Sequence, residues 1–234
     1  MADVLNRARR LGHKVFAPIA ANGEAGRLNR PLVLALGEHG LLELVFAGSA
    51  VELCELREGL AHGCTEAETA LALQGLGGYP ILSRGSPAVR ENWIPRLSNG
   101  EAVAAFALSE PDACSHAASL TLQAKRERDG FRLTGTKLWI SNAPEADVDS
   151  VFARTGDEGA KGITAFAVPR ESEGLSGEHL DLLDARVALA GLAAKVNAAG
   201  RDDCVREADR LGQLGRVDDH RPRHAGTLPS DQAA

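Results

Sequence analysis

The sequence predicts an α+β fold: an all-helical N-terminal domain over residues 1–102, an antiparallel β-barrel domain over 103–183, and a short helical or disordered tail over 184–234. Three observations lead there. Apolar residues recur at helical spacing up to about residue 102, then change to short apolar or alternating runs. Large aliphatic residues become sparse after Gly212.

In the first part, Val4, Leu5, Ala8 and Leu11 lead towards Phe16 as one amphipathic helix, and Leu32, Val33, Leu36 and Leu41 form a second stripe. Pro31 suits a helix first turn, where its missing N–H costs nothing. A third helix is expected from Val51 to about Gly63, and a fourth from Thr65, with Glu68 completing a capping box. The fourth should fade at Gly75, Gly77 and Gly78. Pro87 opens a short helix through Trp93, and Ser98-Asn99-Gly100 reads as the loop that ends it.

Strands are expected over Val103 to Leu108, Ser119 to Ala124, Phe131 to Ile140, Val151 to Arg154 and Ile163 to Val168. Asp129-Gly130 is a hairpin signal, and Gly156 to Gly162 supplies a second turn. Around and beyond Asp184, Leu182, Leu189, Leu192 and Val196 fall at helical spacing, so one amphipathic helix could run to Gly200. The final stretch, rich in Arg and Pro, carries too little apolar surface to offset its ordering entropy.

A net charge of −6 and a sequence pI near 5.7 argue against nucleic acid as a partner. Nothing approaches the ~18 consecutive apolar residues of a membrane span, and the first ten residues hold Asp3, Arg7, Arg9 and Arg10 rather than an apolar leader. Cys54, Cys64, Cys114 and Cys204 form no C-x-x-C pair and read as reduced thiols, so a cytoplasmic protein is expected. There is no G-x-S-x-G elbow, H-E-x-x-H helix or phosphate loop. Pro222 separates His220 from His224, and nothing nearby completes a metal set, so no metal is expected.

Two strand ends carry the chemistry. The first, Phe106-Ala107-Leu108-Ser109-Glu110-Pro111-Asp112-Ala113-Cys114-Ser115-His116, places hydroxyls, backbone donors and an acid at a polar turn. The second is Trp139-Ile140-Ser141-Asn142. By residue chemistry alone, the simpler readings are a turn capped by Ser109 and Ser115 and a strand-end aromatic filling a core with only 4% aromatic residues.

Together, FALSEPDACSH at 106–116 and GTKLWISN at 135–142 resemble the acyl-CoA dehydrogenase family in sequence, spacing and order. The family patterns read roughly [FY]-x-[LV]-[ST]-E-P-x-A-G-S-D and G-x-K-x-W-I-[ST]-N. The resemblance extends through PLVLALGEHGLL, LQGLGGYPI and NWIPRLSNGEA upstream and VFARTGDEGAKGITAFAVP downstream, over about residues 1–183. It implies bound FAD, cradled by Phe106, Ala107, Leu108, Ser109, Glu110, Pro111 and Ser115 on one segment and by Trp139, Ile140 and Ser141 on the other. Ser109 and Ser141 would bond the polar edge of the flavin, Trp139 would cover it, and Ser115 would reach the acyl-CoA substrate.

The implied reaction removes an acyl α-proton with a glutamate while the β-carbon passes hydride to the flavin, giving a 2-enoyl thioester for reoxidation by an electron acceptor. In the family, subunits form homo-oligomers, and the base comes from a C-terminal helical domain on a segment resembling Y-E-G-T. No such segment occurs here, so no catalytic residue is assigned; FAD binding that is weak or absent, and no turnover, are expected of these 234 residues alone. Cys114 replaces the pattern's glycine and His116 its aspartate. A non-catalytic remnant or interaction module, and a related flavin oxidase or monooxygenase, are the competing readings.

Overall fold

The computed structural model describes residues 2–113, 116–128, 130–179, 192–196, 199–200 and 204–205. Its first part is helical. Helix α1 (Ala2–Leu11) continues through a π-helical turn (Gly12–Phe16) into α2 (Ala17–Ala20). Five more helices follow: α3 (Arg30–Glu38), α4 (Leu41–Ala47), α5 (Ala50–Gly63), α6 (Thr65–Arg84) and α7 (Pro87–Ser98). The stripe expected from Leu32 to Leu41 is divided between two helices, because Gly40 adopts φ 68° and turns the chain before Leu41. Leu32, Val33, Leu36, Leu41, Leu42, Leu56, Leu60 and Leu71 are buried together with Ala8 and Phe16.

Local capping explains the helix starts. The Asn29 side chain accepts the Leu32 N–H at 3.1 Å at the start of α3, and the Ser86 hydroxyl accepts the Val89 N–H at 3.3 Å at the start of α7. The capping box lies at Ser49–Glu52, where the serine hydroxyl accepts the Glu52 N–H and the glutamate accepts the Ser49 N–H. The box expected at Thr65–Glu68 is not formed. Cys64 occupies the cap position and Glu68 instead pairs with Arg57 at 2.6 Å. Helix α7 also runs past Trp93 to Ser98.

The expected fading of the fourth helix is corrected too: α6 continues through Gly75, Gly77, Gly78 and Pro80 to Arg84. These glycines serve packing. A Cβ on Gly77 would stand 2.7 Å from the Ala104 Cβ and 2.9 Å from its carbonyl carbon, and one on Gly78 would meet the Phe46 ring at 2.6 Å.

The strands are β1 (Ala104–Ala107), β2 (Gln123–Glu127), β3 (Gly130–Lys137), β4 (Val148–Arg154), β5 (Ile163–Pro169), β6 (Ser176–His179), β7 (Leu192–Val196), β8 (Ala199–Gly200) and β9 (Cys204–Val205). Their order is β6-β7-β3-β2-β4-β5-β9, with β1 beside β4 and β8 beside β3. Strands β2 and β3 form the expected hairpin, and β4 and β5 pair antiparallel from Val148↔Pro169 to Arg154↔Ile163. The pairing is not wholly antiparallel, since β1 runs parallel to β4 from Ala104↔Val148 and β2 touches β4 in parallel at Gln123↔Arg154.

Two expected strands are shortened by side chains that take over backbone groups. Ala117–Ser119 is a 3₁₀ turn, and β2 begins at Gln123 because Glu110 accepts the amides of Thr121 and Leu122 while Arg154 donates to Leu120 O. Strand β3 ends at Lys137, because the next amide, that of Leu138, donates to Ser109 O at 3.0 Å. The helix expected up to Gly200 is replaced by strand where the chain is described. Leu192–Val196 pairs with β3 from Gly135↔Val196 to Lys137↔Ala194, satisfying ladder groups that a helix would leave open. Residues 206–234, where a poorly packed tail is expected, lie outside the described residues. Among those described, no helix is long and apolar enough to cross a membrane.

The helical and β parts are joined by polar contacts at buried and half-buried positions. Gln74, 1% exposed, donates to Leu97 O and Ala102 O and accepts the Ala104 N–H, and the Ser150 hydroxyl donates to Gly77 O at 2.7 Å. Arg30 forms a fork with Asp147 at 2.8 and 3.1 Å, and Asp147 also accepts the Val103 N–H at 2.7 Å. Asp147→Ala is therefore expected to cost about 2 kcal/mol in chemical unfolding, since the Val103 amide loses its acceptor and the Arg30 guanidinium keeps only Glu145 O. A loss below 0.5 kcal/mol would show that water replaces both bonds.

Candidate functional site

The two strand ends singled out by their residues are brought against each other. Strand β1 delivers Phe106 and Ala107 and then turns at Leu108–Asp112; β3 delivers Lys137 and then Leu138–Asn142, and the Leu138-to-Ser109 bond stitches the two together. Phe106 is half-buried against Phe152, with ring centroids 4.9 Å apart. Ala107 and Ile140 are 2% and 1% exposed, so their side chains belong to the interior and only their backbones can face a ligand. Leu108, Ser109 and Ser141 are half-buried, and Pro111 is exposed. Ser115, with Cys114, lies outside the described residues.

Trp139 has the most unusual backbone of the group. It adopts φ 61°, a conformation rare for a bulky side chain, and its indole is 60% exposed. Asn142 adopts φ 69°, its side chain donates to Ala104 O at 3.1 Å, and its carbonyl accepts the amides of Glu145 and Ala146. Asn142 thereby fixes the turn that carries Trp139 back onto β1. The hydroxyls of Ser109 and Ser141 make no hydrogen bond to another described residue.

Glu110 lies in the binding turn, but its carboxylate points into the protein. Its side chain is 3% exposed and Lys137 is fully enclosed. Lys137 Nζ donates to Glu110 Oε1 at 2.8 Å and to Leu108 O at 3.0 Å. Glu110 Oε2 accepts from the Thr121 N–H at 2.6 Å and the Thr121 hydroxyl at 2.9 Å, while Oε1 also takes the Leu122 N–H at 3.0 Å. Burial pushes the Glu110 carboxyl up, but the Lys137 ammonium and the two amides outweigh it and hold it below the ordinary carboxylate range. Burial pulls the Lys137 ammonium down against the opposing hold of Glu110. Glu110 is thus a saturated acceptor that ties its turn to Thr121, Leu122 and Lys137.

Sequence reasoning passed over Lys137, although it falls in the quoted segment. The signal was alternation: Leu133 and Lys137 share the inward face of β3, so a lysine there must be buried and needs an anion. Thr121 and Asn142 carried no comparable signal. Among the described residues no group of His, Cys, Asp and Glu could hold a metal.

Comparison with known proteins agrees with this fold. The N-terminal domain model of the acyl-CoA dehydrogenases matches residues 2–101, and their middle domain model matches residues 105–186. A cyclohexane-1-carbonyl-CoA dehydrogenase from Geobacter metallireducens is 32% identical over 181 residues, covering 74% of this chain and 48% of the relative. The mitochondrial short-chain specific acyl-CoA dehydrogenase of Rattus norvegicus is 34% identical over 220 residues, covering 88% and 52%. The chain thus spans about half the length of these curated relatives. Among solved structures, a glutaryl-CoA dehydrogenase from Mycobacterium smegmatis superposes with a TM-score of 0.76 at 30% identity, covering 90% of this chain and 56% of that one. A glutaryl-CoA dehydrogenase from the same organism, solved in complex with FADH2, gives a TM-score of 0.76 at 26% identity, again covering 90% and 56%. With both family models matched end to end along the helical and β parts, this chain belongs to the acyl-CoA dehydrogenase family.

Proposed function

We propose that residues 106–111 and 139–141 form the flavin-facing wall of an FAD-dependent acyl-CoA dehydrogenase, with an acyl-CoA thioester as substrate and a separate electron acceptor as redox partner. The carrying observation is Trp139: an indole 60% exposed, at φ 61°, on a turn held to the Ser109 strand end. Such a backbone costs on the order of 1–3 kcal/mol and is explained when the exposed ring serves a planar ligand. FAD, when bound, supplies the redox chemistry as a hydride acceptor.

The chain's own groups then divide the work. The unengaged hydroxyls of Ser109 and Ser141 bond the polar edge of the ring system, and Trp139 covers it and keeps water away. Ser115 is assigned to the acyl-CoA through the family pattern alone. Glu110 is not the base that takes the α-proton, since both of its oxygens are committed to Lys137, Thr121 and Leu122. The domain boundaries 1–102, 103–183 and 184–234 belong to this same reading. A cytoplasmic setting fits the free thiols of Cys54 and Cys64.

FAD titration tests the proposal. Of the two tryptophans, Trp93 is 5% exposed and Trp139 60%, so FAD stacking on the wall should quench the solvent-exposed component of the emission in a saturable way. Trp139→Phe should remove that component. Ser109→Ala and Ser141→Ala should each weaken binding by roughly fivefold, the value of about 1 kcal/mol per hydrogen bond. Quenching that persists unchanged in Trp139→Phe would sink the reading.

A further inference from the structure

Resting on the flavin reading above, we infer that Lys137 and Glu110 are positioning residues: the buried pair sets the spacing between the Ser109 hydroxyl and the Trp139 indole without itself touching the ligand. The geometry is specific. One ammonium holds the turn at two points, Leu108 O and Glu110 Oε1; it projects from the last residue of β3, two positions before Trp139. The carboxylate extends the same hold to Thr121 and Leu122, which carry the chain into β2. Three chain segments therefore meet at two side chains, and the two segments proposed to face the flavin are among those they brace from behind.

Stability alone does not account for such a pair. Removing two charges from water is costly, and well-packed apolar replacements of buried ion pairs are often neutral or stabilising. What an apolar pair of similar volume cannot do is fix direction, because dispersion contacts let neighbouring segments slide whereas these five bonds set where each backbone lies. The Leu138-to-Ser109 bond adds a sixth tie in front of the pair, but it is a single backbone contact at the surface of the turn.

The test is the double variant Glu110→Gln with Lys137→Met, which leaves no unpaired buried charge and keeps one carbonyl acceptor at position 110, enough for the Thr121 or the Leu122 amide but not both. Three quantities are read on the full chain: the unfolding midpoint, the fluorescence anisotropy of Trp139 without ligand (with Trp139→Phe as the reference for Trp93), and FAD affinity from the quenching titration. The expected result is an unfolding midpoint lowered only by the loss of one amide's acceptor, lower Trp139 anisotropy, and FAD binding at least tenfold weaker. Should the double variant not fold, Thr121→Val, which removes one of the bonds holding the Glu110 carboxylate and no charge, is expected to lower the anisotropy in the same direction and weaken FAD binding about threefold. Unchanged anisotropy and FAD affinity in a folded variant would overturn the inference. If the wild-type chain shows no FAD quenching, the flavin reading fails by itself, and the anisotropy of the variants still decides whether the pair positions Trp139.

Discussion

Asp149→Asn is expected to abolish a fall in stability that the wild-type chain undergoes between about pH 4 and pH 7. Asp149 sits on β4 opposite Ala105 of β1 and Val168 of β5, is 7% exposed, and its Oδ1 has no hydrogen-bond partner among the described residues. Its strand position shares a face with Val151 and Ala153, which pack with Ala105, Ala107, Phe166 and Val168. Burial pushes its carboxyl up from 3.8 to about 7, against a smaller opposing pull from Arg170. The sign follows from proton binding. Between pH 3.8 and about 7 the folded chain holds a proton that the unfolded chain releases, so raising the pH through that window favours unfolding. The stability lost by neutral pH is on the order of 4 kcal/mol, a large share of a typical domain's 5–15 kcal/mol. Glu110, held low rather than high, acts in the opposite direction and only on acidification below the ordinary carboxylate range. Urea unfolding at pH 5 and pH 8 measures the effect: wild type should weaken with rising pH, Asp149→Asn should be nearly flat, and Asp149→Val should exceed wild type at pH 8. A wild-type chain that grows more stable from pH 5 to pH 8 would refute the assignment.

Asp149 also shows where sequence and structure part company. The helical stripes were legible because residues such as Leu32, Val33 and Leu36 recur at helical spacing, and the β2–β3 hairpin because Asp129-Gly130 punctuates two alternating runs. The segments 106–111 and 139–142 were legible as a pair through their likeness to a family pattern. The polar interior was not. Asp149, Lys137, Glu110 and Gln74 are all buried at 7% exposure or less, yet each residue type is ordinarily found at the surface, so local composition places it outside. The partners of Gln74, Glu110 and Lys137 include Leu97, Ala104, Leu108, Thr121 and Leu122, residues 11 to 30 positions away, whose proximity exists only after folding. The same long-range contacts decide strand limits, as where Glu110 takes the amides of Thr121 and Leu122 and delays β2 to Gln123. The parallel pairing of β1 with β4 is a matter of topology that alternation in either strand does not encode.

Gly75→Ala and Gly77→Ala, two positions apart on α6, are expected to have different consequences. Both exchange a glycine for the best helix former, which by propensity alone gains about 1 kcal/mol. At Gly75 the added Cβ meets one methyl of Val45 at 2.5 Å, a side-chain end that can rotate away, so the net effect should be close to neutral or mildly stabilising. At Gly77 it meets the Ala104 Cβ at 2.7 Å, the Ala104 carbonyl carbon at 2.9 Å and the Ala105 nitrogen at 3.0 Å. That backbone cannot yield locally, because β1 is laddered to β4 from Ala104 to Ala107 and Ser150 on β4 holds Gly77 O at 2.7 Å. Either α6 lifts from the sheet or β1 moves, and the net cost after the propensity gain should be roughly 2–3 kcal/mol. The damage should also reach the proposed site, since two residues beyond Ala107 lies Ser109, whose carbonyl is bonded to Leu138. In urea, Gly77→Ala should lower the midpoint with the slope unchanged and weaken FAD binding, whereas Gly75→Ala should leave both near wild type. Equal midpoints for the two variants would mean that the glycines of α6 are not what seats the helix on β1.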